Sequence, residues 1–215
     1  MQGKFDRRSS KSACRPEHQV SDYLDAVIDT AVEWHEPWKG HLALLGIGNH
    51  EQGIRKNHET CPTARMAAGL RRAGGITRAG GYTGWVRLSA KVRNHRSSLR
   101  LWYSHGSGGA AVVTKGIIPF ARAAEGVDAD VYVMGHIHQK GLQMTRRATI
   151  SASNVPKQRS VYYVRCSTYK DEYGQGVSGW HVERGQYPRP LGGWWMRLTF
   201  NDRQGCIVPE FIEAS

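Results

Sequence analysis

Two imidazoles one residue apart, His136 and His138, follow directly on the run Val131-Tyr132-Val133-Met134-Gly135. Neutral imidazole is the commonest protein ligand for borderline divalent metals. Two of them leaving one strand end form half of a metal site, although His-x-His also describes an ordinary pair of surface or hydrogen-bonded histidines. Two earlier segments repeat the design. Leu42-Ala43-Leu44-Leu45-Gly46-Ile47-Gly48 leads to Asn49, His50 and Glu51, and Ser98-Leu99-Arg100-Leu101-Trp102-Tyr103-Ser104 leads to His105-Gly106. An apolar strand, a glycine and then a ligand is how open α/β sheets build sites outside the carboxyl ends of their strands.

In that order, Gly48-Asn49-His50-Glu51, His105-Gly106 and Gly135-His136-Ile137-His138 resemble the later signature blocks of the calcineurin-like metallophosphoesterases. The resemblance implies that Asn49, His105 and His136 are ligands of one metal of a two-metal centre and that His138 is a ligand of the other. It implies that His50 donates a hydrogen bond or proton to the phosphate or leaving group, with Glu51 supporting it. Two cations about 3.5–4 Å apart can clamp a phosphoryl group and acidify a bound water. Mixed nitrogen and oxygen donors suit Mn²⁺, Fe or Zn²⁺ better than Mg²⁺ or Ca²⁺.

The family's first two blocks, Asp-x-His and Gly-Asp, are absent: no Asp-x-His precedes Gly48 and no Gly-Asp dipeptide occurs in the chain. These blocks supply the remaining ligands of one metal and the bridging carboxylate. The expectation is therefore an N-terminally incomplete metallophosphoesterase domain begun at an internal Met, with Asp6 a poor stand-in for the bridge. Four neutral ligands cannot offset the repulsion between two nearby dications, so metal binding and turnover by this chain are expected to be weak.

Several elements must position these residues. Tyr23, Leu24, Val27, Ile28, Ala31 and Val32 recur at helical spacing, with Ser21 as N-cap and Pro37 at the end. Pro62 opens a second helix carrying Arg65, Arg71 and Arg72 outward. Residues 82–94 and 97–104 alternate as an antiparallel strand pair that ends at His105. Gly106-Ser107-Gly108-Gly109-Ala110 is either an anion-cradling turn or a flexible connector. Residues 114–125 read as a helix. The remainder reads as strands near 142–151, 160–168, 193–200 and 205–213, expected to form a sheet packed on the first. The long loop 169–192 is placed as a substrate-facing lid, and His58 as a surface residue. The fold class is thus α/β (α+β), a two-sheet β-sandwich flanked by helices and lacking its first strand-helix-strand unit, in one partial domain over 1–215.

Composition bounds the rest. With 215 residues the chain is long enough for one real core. No apolar run approaches the roughly 20 residues of a membrane span, and no signal peptide is visible, so a cytoplasmic protein is expected. Cys14, Cys61, Cys166 and Cys206 fit no Cys-x-x-Cys spacing and read as reduced thiols. The net charge of +12, with Lys4, Arg7, Arg8, Lys11 and Arg15 in a basic loop over residues 1–19, favours nucleic acid as substrate or partner. Two functions follow: a two-metal phosphate-ester hydrolase, or a non-catalytic basic nucleic-acid-binding module on a decayed phosphoesterase scaffold.

Overall fold

Val131, Tyr132 and Met134 are buried, as an apolar run flanked by strands on both sides must be. This segment, β5 (Val131–Met134), is the middle strand of a five-stranded sheet. The computed structural model describes residues 15–109, 113–174 and 179–214. Asp6, Cys14, Ala110 and the lysines and arginines before Arg15 lie outside them. The chain divides between Thr83 and Gly84 into two compact units.

The first unit holds α1 (Tyr23–His35), β1 (Leu44–Leu45), α2 (Asn49–His58), α3 (Pro62–Arg72) and β2 (Arg78–Ala79). Its core is Ile28 of α1 against Met66 and Leu70 of α3, with Leu24, Val32, Leu42 and Leu45 packed around them. Two boundaries differ from the sequence expectation. Helix α1 is preceded by Asp22 rather than Ser21, and Pro37 sits inside a short 3-10 turn, Glu36–Trp38, that continues the helix. Pro37 occupies the first turn of that segment, where its missing N–H costs nothing. The expected strand at 42–47 shrinks to the two residues of β1, paired in parallel with β2.

The second unit carries the five-stranded sheet in the order β3 (Thr83–Val92), β4 (His95–Ser104), β5, β7 (Pro156–Arg165), β6 (Gly141–Ile150). Strands β4, β5 and β7 run parallel, with Ser104, Met134 and Arg165 aligned across their carboxyl ends. Helix α4 (Ile118–Gly126) covers one face through Phe120, which packs with Ala129, Tyr132, Met134 and Val161. It begins later than the expected 114, because Pro119 sets its first turn. The hydroxyl of Tyr132 donates to Val127 O and accepts from Ala129 N, so a fully buried polar group is satisfied.

The C-terminal strands do not make the single second sheet expected from the sequence. Strands β6 and β7 pair antiparallel over ten residues and join the first sheet. Only β8 (Gly193–Asn201) and β9 (Cys206–Ala214) form a separate two-stranded sheet. Its Trp194, Met196 and Phe211 pack on Leu99, Val131 and Val164, closing the other face of the main sheet. Strand β7 also starts earlier than expected, at polar Pro156-Lys157-Gln158-Arg159, because its long pairing with β6 rather than any apolar pattern holds it. At the end of the sheet away from the histidines, Asp130 receives Arg100 through its backbone N–H, Nε and Nη2 and also receives Arg159 Nη1. Asp128 adds Arg100 and Arg147, tying β4, β5, β6 and β7 together.

Candidate metal centre at the carboxyl end of the parallel strands

Because Ser104, Met134 and Arg165 are in register, the residues that follow them emerge side by side. His105 follows β4, and Gly135-His136-Ile137-His138 follows β5. His105 Nε2 lies 3.1 Å from His136 Nδ1, with the rings edge to face at 64°. His138 Nδ1 lies 3.1 Å from His181 Nε2, at 62°. His181, on the short helix α5 (Trp180–Glu183), donates through its backbone N–H to Glu172 Oε2 at 2.6 Å. Its Nδ1 is 2.8 Å from the same oxygen.

The backbone that presents these rings is strained. His136 (φ 70°) and His138 (φ 53°) both lie in the left-handed region, which costs a non-glycine residue about 1–2 kcal/mol each. Packing and hydrogen bonds hold them there. Ile137 between them is buried against Gly116, itself at φ 75°, where a Cβ would collide with Ile137 Cδ1. The Ser167 hydroxyl donates to His138 O at 2.9 Å. Such outliers cluster at functional sites, where surrounding structure over-determines them.

The second pair is backed by a buried carboxylate. Glu172 and His181 are both nearly inaccessible, at 6% and 4% relative exposure. Burial pushes the Glu172 carboxyl up, but Lys170 and the His181 N–H outweigh it and hold the group below its ordinary value, so it is ionised. In the neutral His181 tautomer that places Nδ1–H against the carboxylate, the His181 Nε2 lone pair accepts from His138 Nδ1–H. His138 Nε2 then keeps its own lone pair. Burial first, and the neighbouring His181 and His136 next, push the His138 pKa down to about 4. At neutral pH this imidazole is uncharged and in the form that binds metals. A carboxylate backing a histidine that orients a ligand is the usual support of protein metal sites.

Asn49, His50 and Glu51 occupy a different local structure from the strand-end loop expected of them. They form the first turn of α2, in the first unit. Gly48, extended at φ −99° and ψ −179°, precedes the helix, and its N–H donates to Glu51 Oε2 at 3.0 Å. Glu51 thus closes its own helix start in the manner of half a capping box, which accounts for a carboxylate at this spacing. The structure brings His105 to His136 and His138 to His181. Among the described residues, no three His, Cys, Asp or Glu side chains converge on one point. The donors stand in pairs.

The chain matches no family model, no curated protein and no solved structure. Glu172 and His181 are site residues that sequence reasoning does not select. In the sequence His181 is one polar residue among many in the long loop, and no spacing ties it to Glu172 nine positions earlier. The described parts of this segment, 169–174 and 179–192, with the Thr168–Leu191 bridge at its base, bring both to His138. Among the described residues Cys61, Cys166 and Cys206 are free, and burial pushes the Cys166 thiol up despite Lys140 nearby. Among the described residues no helix is long and apolar enough to cross a membrane.

Proposed function

We propose that this protein is a metal-dependent hydrolase of phosphate esters related to the calcineurin-like metallophosphoesterases. The observation that carries this reading is the two close imidazole pairs, His105–His136 and His138–His181, with His136 and His138 on strained backbone beyond the carboxyl end of β5. The resemblance assigns His105 and His136 to one metal and His138 to another, and this agrees with their separation into two pairs. The donor chemistry fits Zn²⁺, Mn²⁺ or Fe: His105 Nε2 and His136 Nδ1, 3.1 Å apart, are close to the ligand–ligand spacing about a metal at roughly 2.1 Å, and His138 offers Nε2.

When bound, divalent cations would supply charge neutralisation on the phosphoryl oxygens and a nucleophilic hydroxide at neutral pH. The protein's own groups do the rest. Glu172 and His181 hold His138 in one tautomer and orientation. His50, at the amino end of α2, is assigned to the leaving oxygen, with Asn49 as the oxygen ligand. Arg189 faces the His138 region closely enough to depress its pKa, and Arg189 Nε and Arg165 Nη1 are buried N–H donors with no acceptor among the described residues. Unsatisfied cationic donors of this kind favour an anionic substrate.

The pairing of donors, short of a complete shell, favours one alternative: a basic nucleic-acid-binding module that retains the scaffold without turnover. Mn²⁺ titration with hydrolysis of bis(4-nitrophenyl) phosphate separates the two. The hydrolase reading expects slow but saturable Mn²⁺-dependent turnover, lowered in His50→Ala with metal binding retained. Complete inactivity at saturating Mn²⁺, with nucleic-acid binding intact, supports the module instead.

A further inference from the structure

A cavity of about 540 Å³ opens between the 169–192 segment and the β8–β9 sheet, lined by Tyr169, Leu191, Gly193, Trp194, Trp195 and Ala214. Two of its aromatic walls face solvent, Tyr169 at 89% and Trp195 at 68% relative exposure. Large rings left this open cost free energy that burial against a ligand would recover. Gly193 forms the floor: a Cβ there would already touch the Tyr169 hydroxyl at 3.9 Å and Cys166 Sγ at 3.8 Å, so a larger side chain would intrude on the cavity.

The cavity is joined to the histidine centre by one residue. Ser167 donates through its hydroxyl to His138 O, and through its N–H to Gly192 O at 3.1 Å; Gly192 N–H returns to Thr168 O. Two basic side chains lie nearby, and one of them, Lys140, is already ion-paired to Glu213 at 3.5 Å. Lys140 Nζ donates to Leu191 O and Ala214 O and lies 5.7 Å from the centre of the Trp194 ring. Arg189 stacks 4.0 Å from the Tyr187 ring. Exposed aromatic faces on a strongly basic chain are the elements of a stacking platform for single-stranded nucleic acid. The net charge of +12 selects a polyanion over an apolar peptide.

We infer that the Tyr169–Trp195 cavity stacks one base of a single-stranded nucleic acid whose phosphodiester is presented to the histidine centre. This rests on the hydrolase reading for the fate of the strand, but not for the binding itself. The test is therefore run in EDTA, by fluorescence anisotropy, with a labelled deoxythymidine decamer and a decamer of abasic sugar-phosphate units. Trp195→Ala should weaken decamer binding about tenfold, the scale of losing one stacking partner, and leave the abasic chain unchanged. Gly193→Val, which fills the floor at a position with ordinary backbone, should do the same. Equal weakening of both ligands, or no change in either, overturns the inference. So does a concentration-dependent dimer of the wild-type protein that Trp195→Ala dissolves, which would make the cavity a contact between copies. Absence of base-dependent binding by the wild-type protein, with Mn²⁺-dependent aryl phosphodiester turnover present, overturns the base site alone. Base-dependent binding without any turnover supports the base site and counts against the hydrolase.

Discussion

Replacing His136 with alanine is expected to reduce Mn²⁺-dependent hydrolysis of bis(4-nitrophenyl) phosphate to the background rate. Metal stabilisation of a developing phosphoryl charge is worth several kcal/mol, so the loss is about a thousandfold where the starting rate permits it to be seen. The geometry explains the severity. His136 is the partner of His105 at 3.1 Å, and its φ of 70° is held by the burial of Ile137 rather than by the imidazole itself. Removing the ring should leave the fold intact, because the side chain is not part of either hydrophobic cluster of the second unit. An unchanged circular dichroism melt beside abolished turnover would separate a missing ligand from a damaged scaffold.

His181→Ala and Glu172→Gln should lower metal affinity by about 10–100-fold, the usual cost of removing the group that orients a ligand. The two variants differ in kind. Without His181, His138 Nδ1–H loses its acceptor and the ring is free to turn. In Glu172→Gln, the new amide oxygen can still accept from His181 Nδ1–H, but the charge that stabilises that arrangement is gone, and the ion pair with Lys170 goes with it. Glu172→Gln should therefore be the milder change. Metal affinity measured against pH checks this, because protons and metal compete for the same lone pair. If His181→Ala binds metal as the wild type does, His138 needs no such support, and the Glu172–His181–His138 chain is structural only.

The histidines are legible in the sequence because chemistry and local pattern coincide at them. Val131 to Met134 is an unambiguous buried run, and the two histidines behind Gly135 are conspicuous in any reading. The parallel pairing of β4 with β5, which sets His105 beside His136, fits the same logic of strand followed by ligand. Features that depend on distant pairing are not legible. Strand β7 reaches back through Pro156-Lys157-Gln158-Arg159, which has no apolar signal, because β6 lies opposite it. The division of the C-terminal strands between two sheets is decided by where Trp194, Met196 and Phe211 find apolar surface, which is a three-dimensional fact. Asn49-His50-Glu51 reads as a loop because Gly46 and Gly48 punctuate it. Yet Glu51 three residues after Gly48 is also a helix-start spacing, and the helix prevails. Glu172 and His181 leave no trace at the level of motif, since a loop brings them in.

Whether the two histidine pairs hold divalent cations is tested most directly by histidine-ring NMR during Mn²⁺ titration, because paramagnetic broadening reports even weak occupancy. The ring signals of His105, His136, His138 and His181 are expected to broaden at Mn²⁺ concentrations that leave His35, His41 and His58 sharp. Uniform broadening of all histidines, or earlier broadening of His35, His41 and His58, would contradict cation binding by the two pairs.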